Sequence, residues 1–183
     1  MRARAHKLRS PEAAEIAEAA LVMPVVFIFL LGIIWFGRAF NIYSTITQAA
    51  QQGAIMAARP TCATCPAPGS FWPGGTNFPG DTAVVTTVFS VMQASSLDTT
   101  QILGSAGTLS PGCTASSNIL ICREVVLNLP PNSQPQTCGP PQGSQVCGTT
   151  VSFQFPFQFY LPFTSLNLTQ VNLQAQAQSR MEN

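Results

Sequence analysis

Charge is what this sequence has least of. Of its 183 residues only 8% are Asp, Glu, Lys or Arg, about a third of the share usual in soluble domains. From Pro60 to Gln178 the ionised side chains are Asp81, Asp98, Arg123 and Glu124 alone. A net charge of +1 gives no electrostatic footprint for nucleic acid, which excludes a nucleic-acid partner. Histidine is nearly missing as well: the single one, His6, lies in the first ten residues. The body therefore offers no imidazole, its carboxylates are few and scattered, and its serines have no accompanying base. No glycine-rich phosphate loop and no internal repeat occur. These absences predict no enzyme, no cofactor, no metal site and no small-molecule substrate.

What the sequence does have is grease in one place. Ala19 to Gly37 is a run of nineteen uncharged residues, twelve of them Leu, Ile, Val or Phe. As a helix it would reach roughly 28 Å, close to the hydrocarbon thickness of a bilayer. At about −0.3 to −0.6 kcal/mol for each of the twelve, insertion gains roughly 4–7 kcal/mol before deductions for Pro24 and Gly32. A secretory signal has a shorter apolar core and a small-x-small cleavage site. Here the helical pattern continues instead: Ile42, Ile46, Ala49, Ala50, Gly53 and Ala57 recur along one face, until Arg59-Pro60 stops the helix. The whole helix is expected to run about 45 residues, roughly 70 Å.

Arg2, Arg4, Lys7 and Arg9 precede the run and Arg38 alone follows it closely, so the positive-inside rule keeps the N-terminus cytoplasmic and exports the body. Trp35 and Tyr43 fall near the outer boundary, and Arg38 is read as a side chain that snorkels there. Pro24 sits in the first turns of the span, where it bends the axis or is tolerated. Glu18 borders the run, either as a boundary carboxylate facing headgroups or as a buried acid that needs a basic partner. All six cysteines, Cys62, Cys65, Cys113, Cys122, Cys138 and Cys147, follow the run. An even count on one side of a span points to disulfides in an oxidising compartment. Fifteen pairings exist; the preferred one is local, 62–65, 113–122 and 138–147, each closing a short loop. Cys62-Ala-Thr-Cys65 also has the spacing of a redox or zinc pair, but no βαβ setting and no further ligands accompany it.

AEAALVMPVVFIFLLGIIWFGRAFNIYSTITQAAQQGAIMAAR resembles the N-terminal region of TadE/TadG-like proteins of bacterial tight-adherence (Flp) pilus systems. Glu18, Pro24, Phe36-Gly37-Arg38-Ala39 and the stretch from Gly53 to Arg59 carry the resemblance, and the tail from residue 149 reads like the family's closing pair of strands. The resemblance implies membrane lipid and other pilus-assembly or pseudopilin subunits as partners, with Glu18 pairing an α-amino group or basic side chain of a neighbour. It also raises cleavage by a prepilin peptidase, which counting back from Glu18 places between Ala13 and Ala14. Relatives cut in this way have Gly before that bond, and this chain departs from the pattern with Ala13 and the acidic Glu12 and Glu15.

The body is expected to be α+β and disulfide-braced. Residues 60–80 are a Cys/Pro/Gly loop, and Asp81 caps a second helix whose Val84, Val85, Val88, Val91 and Met92 share a face. QILGSAGTL, ILICREVVLNL, TTVSFQFPFQFYL and TQVNLQAQAQSR are read as strands, about four in an antiparallel sheet. Pro156 demands a bulge or an edge in its strand. The stretch 129–148 is a long Pro/Gly loop that needs a clamp. The small-residue stripe at Ala49, Ala50, Gly53 and Ala57 lets the first helix lie close on the sheet. The organisation expected is a basic leader (1–17), a membrane helix (18–38), its exported continuation (39–59), the loop (60–80) and an exported domain (81–183). Two functions fit: a pilus-assembly component of the inner membrane, or a single-pass envelope protein that binds a partner through the Phe-rich FQFPFQFYLPF surface. A thiol oxidoreductase using Cys62 and Cys65 is the third and weakest.

Overall fold

The computed structural model describes residues 11–59, 78–104, 112–127, 136, 138, 146–158 and 170–180, the side chains of residues 11–14 and 124 excepted. Helix α1 (Pro11–Ala58) contributes to two compact units, Met1–Asn41 and Ile42–Asn183. In the first unit it begins at Pro11, inside the stretch expected to be leader. Proline suits a first helical position because its missing N–H would have had no partner there. Pro24 lies inside the helix and, lacking an N–H, leaves the Ala20 carbonyl without its intrahelical donor.

The second unit starts at Ile42, well before residue 81, because the end of α1 belongs to its core. Ile46, Ala49, Ala50, Ala54 and Ala57 are fully buried there. Helix α2 (Asp81–Ala94) buries Val84, Val85, Val88 and Met92, with Val91 partly covered. Its N-cap is Gly80, without a side-chain cap, so Asp81 is the first helical residue rather than the cap. At the other end Leu97 N–H bonds the Met92 carbonyl and Ser96 N–H the Gln93 carbonyl, with Ser96 at φ 58°. That is the paired closure of a Schellman motif, with serine where glycine is usual.

Four antiparallel strands follow as a meander in the order β1-β2-β3-β4: β1 (Cys113–Ser116), β2 (Ile119–Val126), β3 (Cys147–Phe157) and β4 (Val171–Arg180). β1 and β2 join through Ser117 and Asn118, both at positive φ (50° and 64°), the signature of the tight hairpin turn that matches strand twist. Along β3, Val151, Phe153 and Phe155 point to the core, flanked by Ile119 and Ile121 from β2 and by Ala175 and Ala177 from β4. Each large side chain so buried is worth roughly 1.5–3 kcal/mol. The Phe-rich stretch is therefore no docking surface in its described half: Phe153, Phe155 and Phe157 are buried, and Phe159 and Phe163 lie outside the described residues.

The strand expected at QILGSAGTL is not formed over its described residues. Thr99–Gln101 is a 3-10 turn, and Leu103 makes one isolated bridge with Gln154. Pro156 is tolerated for a local reason. Gln154 turns its backbone groups toward Leu103, so by alternation Pro156 faces the same side, beyond the last β2 partner at Ser152. No ladder donor is lost there. The bulge sits instead in β2, between Cys122 and Val125.

Candidate functional site

The residues singled out by sequence fall into two groups that the structure treats differently. Along α1, fourteen large hydrophobic side chains from Ile16 to Phe40 are 45–74% exposed. At roughly 1.5–3 kcal/mol for each fully wet side chain removed from water, leaving these partly exposed ones wet would cost on the order of 10–25 kcal/mol, so lipid or a partner is expected to cover them. The helix is long and apolar enough over Glu15–Ala58 to cross a membrane. Glu18 is exposed on the flank of this surface. Arg38 is exposed, and its guanidinium stacks 5.8 Å from the Trp35 ring centroid. That cation–π contact pins a charge beside an aromatic ring where the apolar surface ends. A Cβ built on Gly37 meets nothing within 4 Å, so within this chain Gly37 fills no packing role. The Ala13–Ala14 bond lies in the first turn of α1.

Gly53 is the opposite case. A Cβ there would lie 2.7 Å from Val88 Cγ2, 3.5 Å from Val151 Cγ1 and 3.7 Å from Val84 Cγ1. The small-residue stripe thus meets β3, as the favoured helix-on-sheet packing expects, and α2 as well, the helix–helix contact that is the less favoured alternative. Gly148, not singled out from sequence, is equally confined: a Cβ would come within 2.3 Å of the Ser179 carbonyl oxygen and 2.4 Å of Leu127 Cδ1. Its only sequence signal was a glycine directly after a cysteine.

Two of the expected disulfides are formed. Cys113–Cys122 joins facing residues of β1 and β2, and Cys138–Cys147 ties residue 138 to the start of β3, each across a sequence separation of 9. Chain entropy makes each worth about 2.5 kcal/mol. Cys62 and Cys65 lie outside the described residues. Next to Cys122, at the bulge, Arg123 reaches the start of α2: its guanidinium pairs with Asp81 and donates to the Pro79 carbonyl at 2.9 Å. Sequence gave no hint of this pairing across 42 residues. Asp98 accepts from the Thr100 hydroxyl and backbone N–H, at 2.7 and 2.9 Å, which holds its carboxyl below the ordinary value. The stabilisation is present above the unfolded carboxyl's titration and fades as pH falls through the lowered one. Among the described residues no group of three or more His, Cys, Asp or Glu side chains gathers.

No curated protein and no solved structure matches the chain. One family model does match. It covers residues 13–54 and is described as TadE-like protein; it spans the exposed apolar face of α1, Glu18, Pro24 and Arg38, and reaches the packed Gly53. By that match residues 13–54 of this chain are similar to TadE-like proteins.

Proposed function

We propose that the chain is a membrane-anchored, pseudopilin-like component of a bacterial tight-adherence (Flp) pilus assembly or a related secretion system. The observation that carries this reading is the coincidence of the TadE-like match at residues 13–54 with the exposed apolar surface of α1. In this reading α1 crosses the inner membrane with Arg2, Arg4, Lys7 and Arg9 in the cytoplasm, as the positive-inside rule favours. The Ile42–Asn183 unit stands outside, where an oxidising compartment keeps Cys113–Cys122 and Cys138–Cys147 closed. The role is structural rather than catalytic. Association with neighbouring subunits runs through helix packing in lipid, where close approach and polar pairs outweigh hydrophobicity. Gly37 offers the close approach, and Glu18 offers a carboxylate for a neighbour's α-amino group or basic side chain. Prepilin peptidase is a further partner in this reading, acting at Ala13–Ala14.

The test is co-purification from detergent-solubilised membranes of the native host. The full chain should bring down other pilus-assembly subunits, and Glu18→Ala should lose them at least tenfold while remaining in the carbonate-resistant membrane fraction. Equal recovery of the same subunits with Glu18→Ala would remove the assembly role from this residue. Absence of any pilus-assembly subunit from the wild-type eluate would remove the function.

A further inference from the structure

The sheet ends on β4, and among the described residues the outer side of β4 is an open ladder. Gln154 exchanges both backbone hydrogen bonds with Leu103, at 3.1 and 2.8 Å, on the side of β3 away from β4. The odd-numbered residues of β3 therefore face β4. By the alternation of antiparallel pairing, their partners Val171, Leu173, Ala175, Ala177 and Ser179 turn their N–H and C=O groups inward. Asn172, Gln174, Gln176, Gln178 and Arg180 turn theirs outward. Among the described residues none of these outward backbone groups has a partner.

An exposed edge is normally blunted by shortness, proline, a bulge or charge. β4 has ten residues, no proline, an unbroken register with β3 and no charge before Arg180. The other edge is blunted: β1 has four residues. Beside the open ladder the side chains sort by face. Gln174, Gln176 and Gln178 are exposed on one side, each amide able to donate and accept. Ala175 and Ala177 are buried on the other, with Leu173 half-covered. Small residues there leave room for larger apolar side chains on a neighbouring strand.

We propose that β4 receives an additional strand: an extended, uncharged segment of about ten residues from a different subunit, pairing along the outward groups of Asn172 to Arg180. Its side chains alternate amide or hydroxyl groups against the glutamine row with apolar groups beside Ala175 and Ala177. Main-chain bonds supply the attachment and the alternation supplies the register. Charge is disfavoured because the row has no counter-charge before Arg180. A second copy is a poor occupant: β4 paired antiparallel with β4 sets alanine beside alanine and leaves that room unfilled, and paired in parallel it turns its glutamine row to the alanine face. The β1 edge of another copy could pair with only four of the ten residues. The inference goes beyond the pilus reading, since it requires only that both proteins stand on the same side of one membrane.

The experiment places a photo-crosslinking amino acid at Gln174 of the full chain in the native host, with a second probe at Gln101 as control. Adducts are identified by mass spectrometry. The expected result is an adduct with a different polypeptide, mapped to an uncharged extended segment. It should be formed at Gln174 and not at Gln101, and reduced at least tenfold by Gln176→Pro, which removes an outward N–H, and by Gln176→Lys, which adds edge charge. Thermal unfolding of both variants is measured alongside; should Gln176→Pro unfold, Gln176→Lys alone carries the test. An adduct between two copies, an adduct to a helical or charged segment, an adduct indifferent to Gln176→Lys in a folded chain, or none at all would overturn the proposal. A β4 adduct together with no pilus-assembly subunit in the co-purification above would leave this inference standing and remove the proposed function.

Discussion

Gly53→Ala separates a glycine that is merely small from one that is required. In an exposed helix the substitution would gain about 1 kcal/mol, because alanine is the better helix former. Here the new methyl would lie 2.7 Å from Val88 Cγ2, with Val151 and Val84 methyls at 3.5 and 3.7 Å. Valine cannot swing away cheaply, since its branched Cβ holds χ1 in the helix. Overpacking of this kind costs about 1–3 kcal/mol, so the net effect is a loss of about 0–2 kcal/mol. Removing the obstructing atom should reverse the sign. In a Val88→Ala background, Gly53→Ala should stabilise by about 1 kcal/mol, for a coupling of about 1–3 kcal/mol between two touching sites. Calorimetric melting of the full chain in lipid nanodiscs reads this out, at about 3–5 °C for each kcal/mol in a unit of this size. Gly37→Ala, where a Cβ meets nothing within 4 Å, is the control and should not lower the melting temperature of the folded unit. Additive effects of Gly53→Ala and Val88→Ala, or a rise of several degrees for Gly53→Ala alone, would refute the packing described for α1, α2 and β3.

Three further outcomes are expected. Replacing both Cys113 and Cys122 by alanine should cost about 2.5 kcal/mol and expose the β1 amides to hydrogen exchange first, whereas β3 should keep its protection. Arg123→Met should cost about 1–2 kcal/mol, reduced from the value for a buried charged pair because the side chains are 20% and 27% exposed. A cycle with Asp81→Asn should show coupling that weakens in salt. Thr149→Val should be neutral or stabilising by about 1 kcal/mol in the same melting assay, since the buried Thr149 hydroxyl has no partner among the described residues.

The legible parts of this protein were those whose periodicity is enforced by burial. VNLQAQAQ alternates because Ala175 and Ala177 face the core and Gln174, Gln176 and Gln178 do not. The Val/Thr run of α2 could have been a strand by composition, yet its buried residues fall at 84, 85, 88 and 92, and that helical spacing decides. The end of α1 at Ala58 and the local disulfides Cys113–Cys122 and Cys138–Cys147 were legible because they depend on neighbours in sequence. β1 was not: CTAS has four residues and no apolar alternation, and it is a strand because β2 and a disulfide hold it. QILG, the described part of QILGSAGTL, forms no strand: its apolar pair Ile102 and Leu103 finds cover and one bridge instead. Arg123 with Asp81 and the confinement of Gly148 arise only when distant segments meet. Along α1 the opposite holds. An apolar surface that finds no partner within the chain is written wholly in the sequence, so the TadE-like segment was its most readable part.

The account rests on α1 lying across a bilayer with the Ile42–Asn183 unit on the far side. Protease digestion of intact spheroplasts tests it most directly, with the chain tagged at its N-terminus and followed into the carbonate-insoluble membrane fraction. The account predicts that the folded unit is cut away while a short tagged fragment containing Ile16–Phe40 stays in the pellet. Recovery of the full-length chain in the carbonate supernatant, or an intact chain after digestion that is cut only once the membrane is opened, would contradict it.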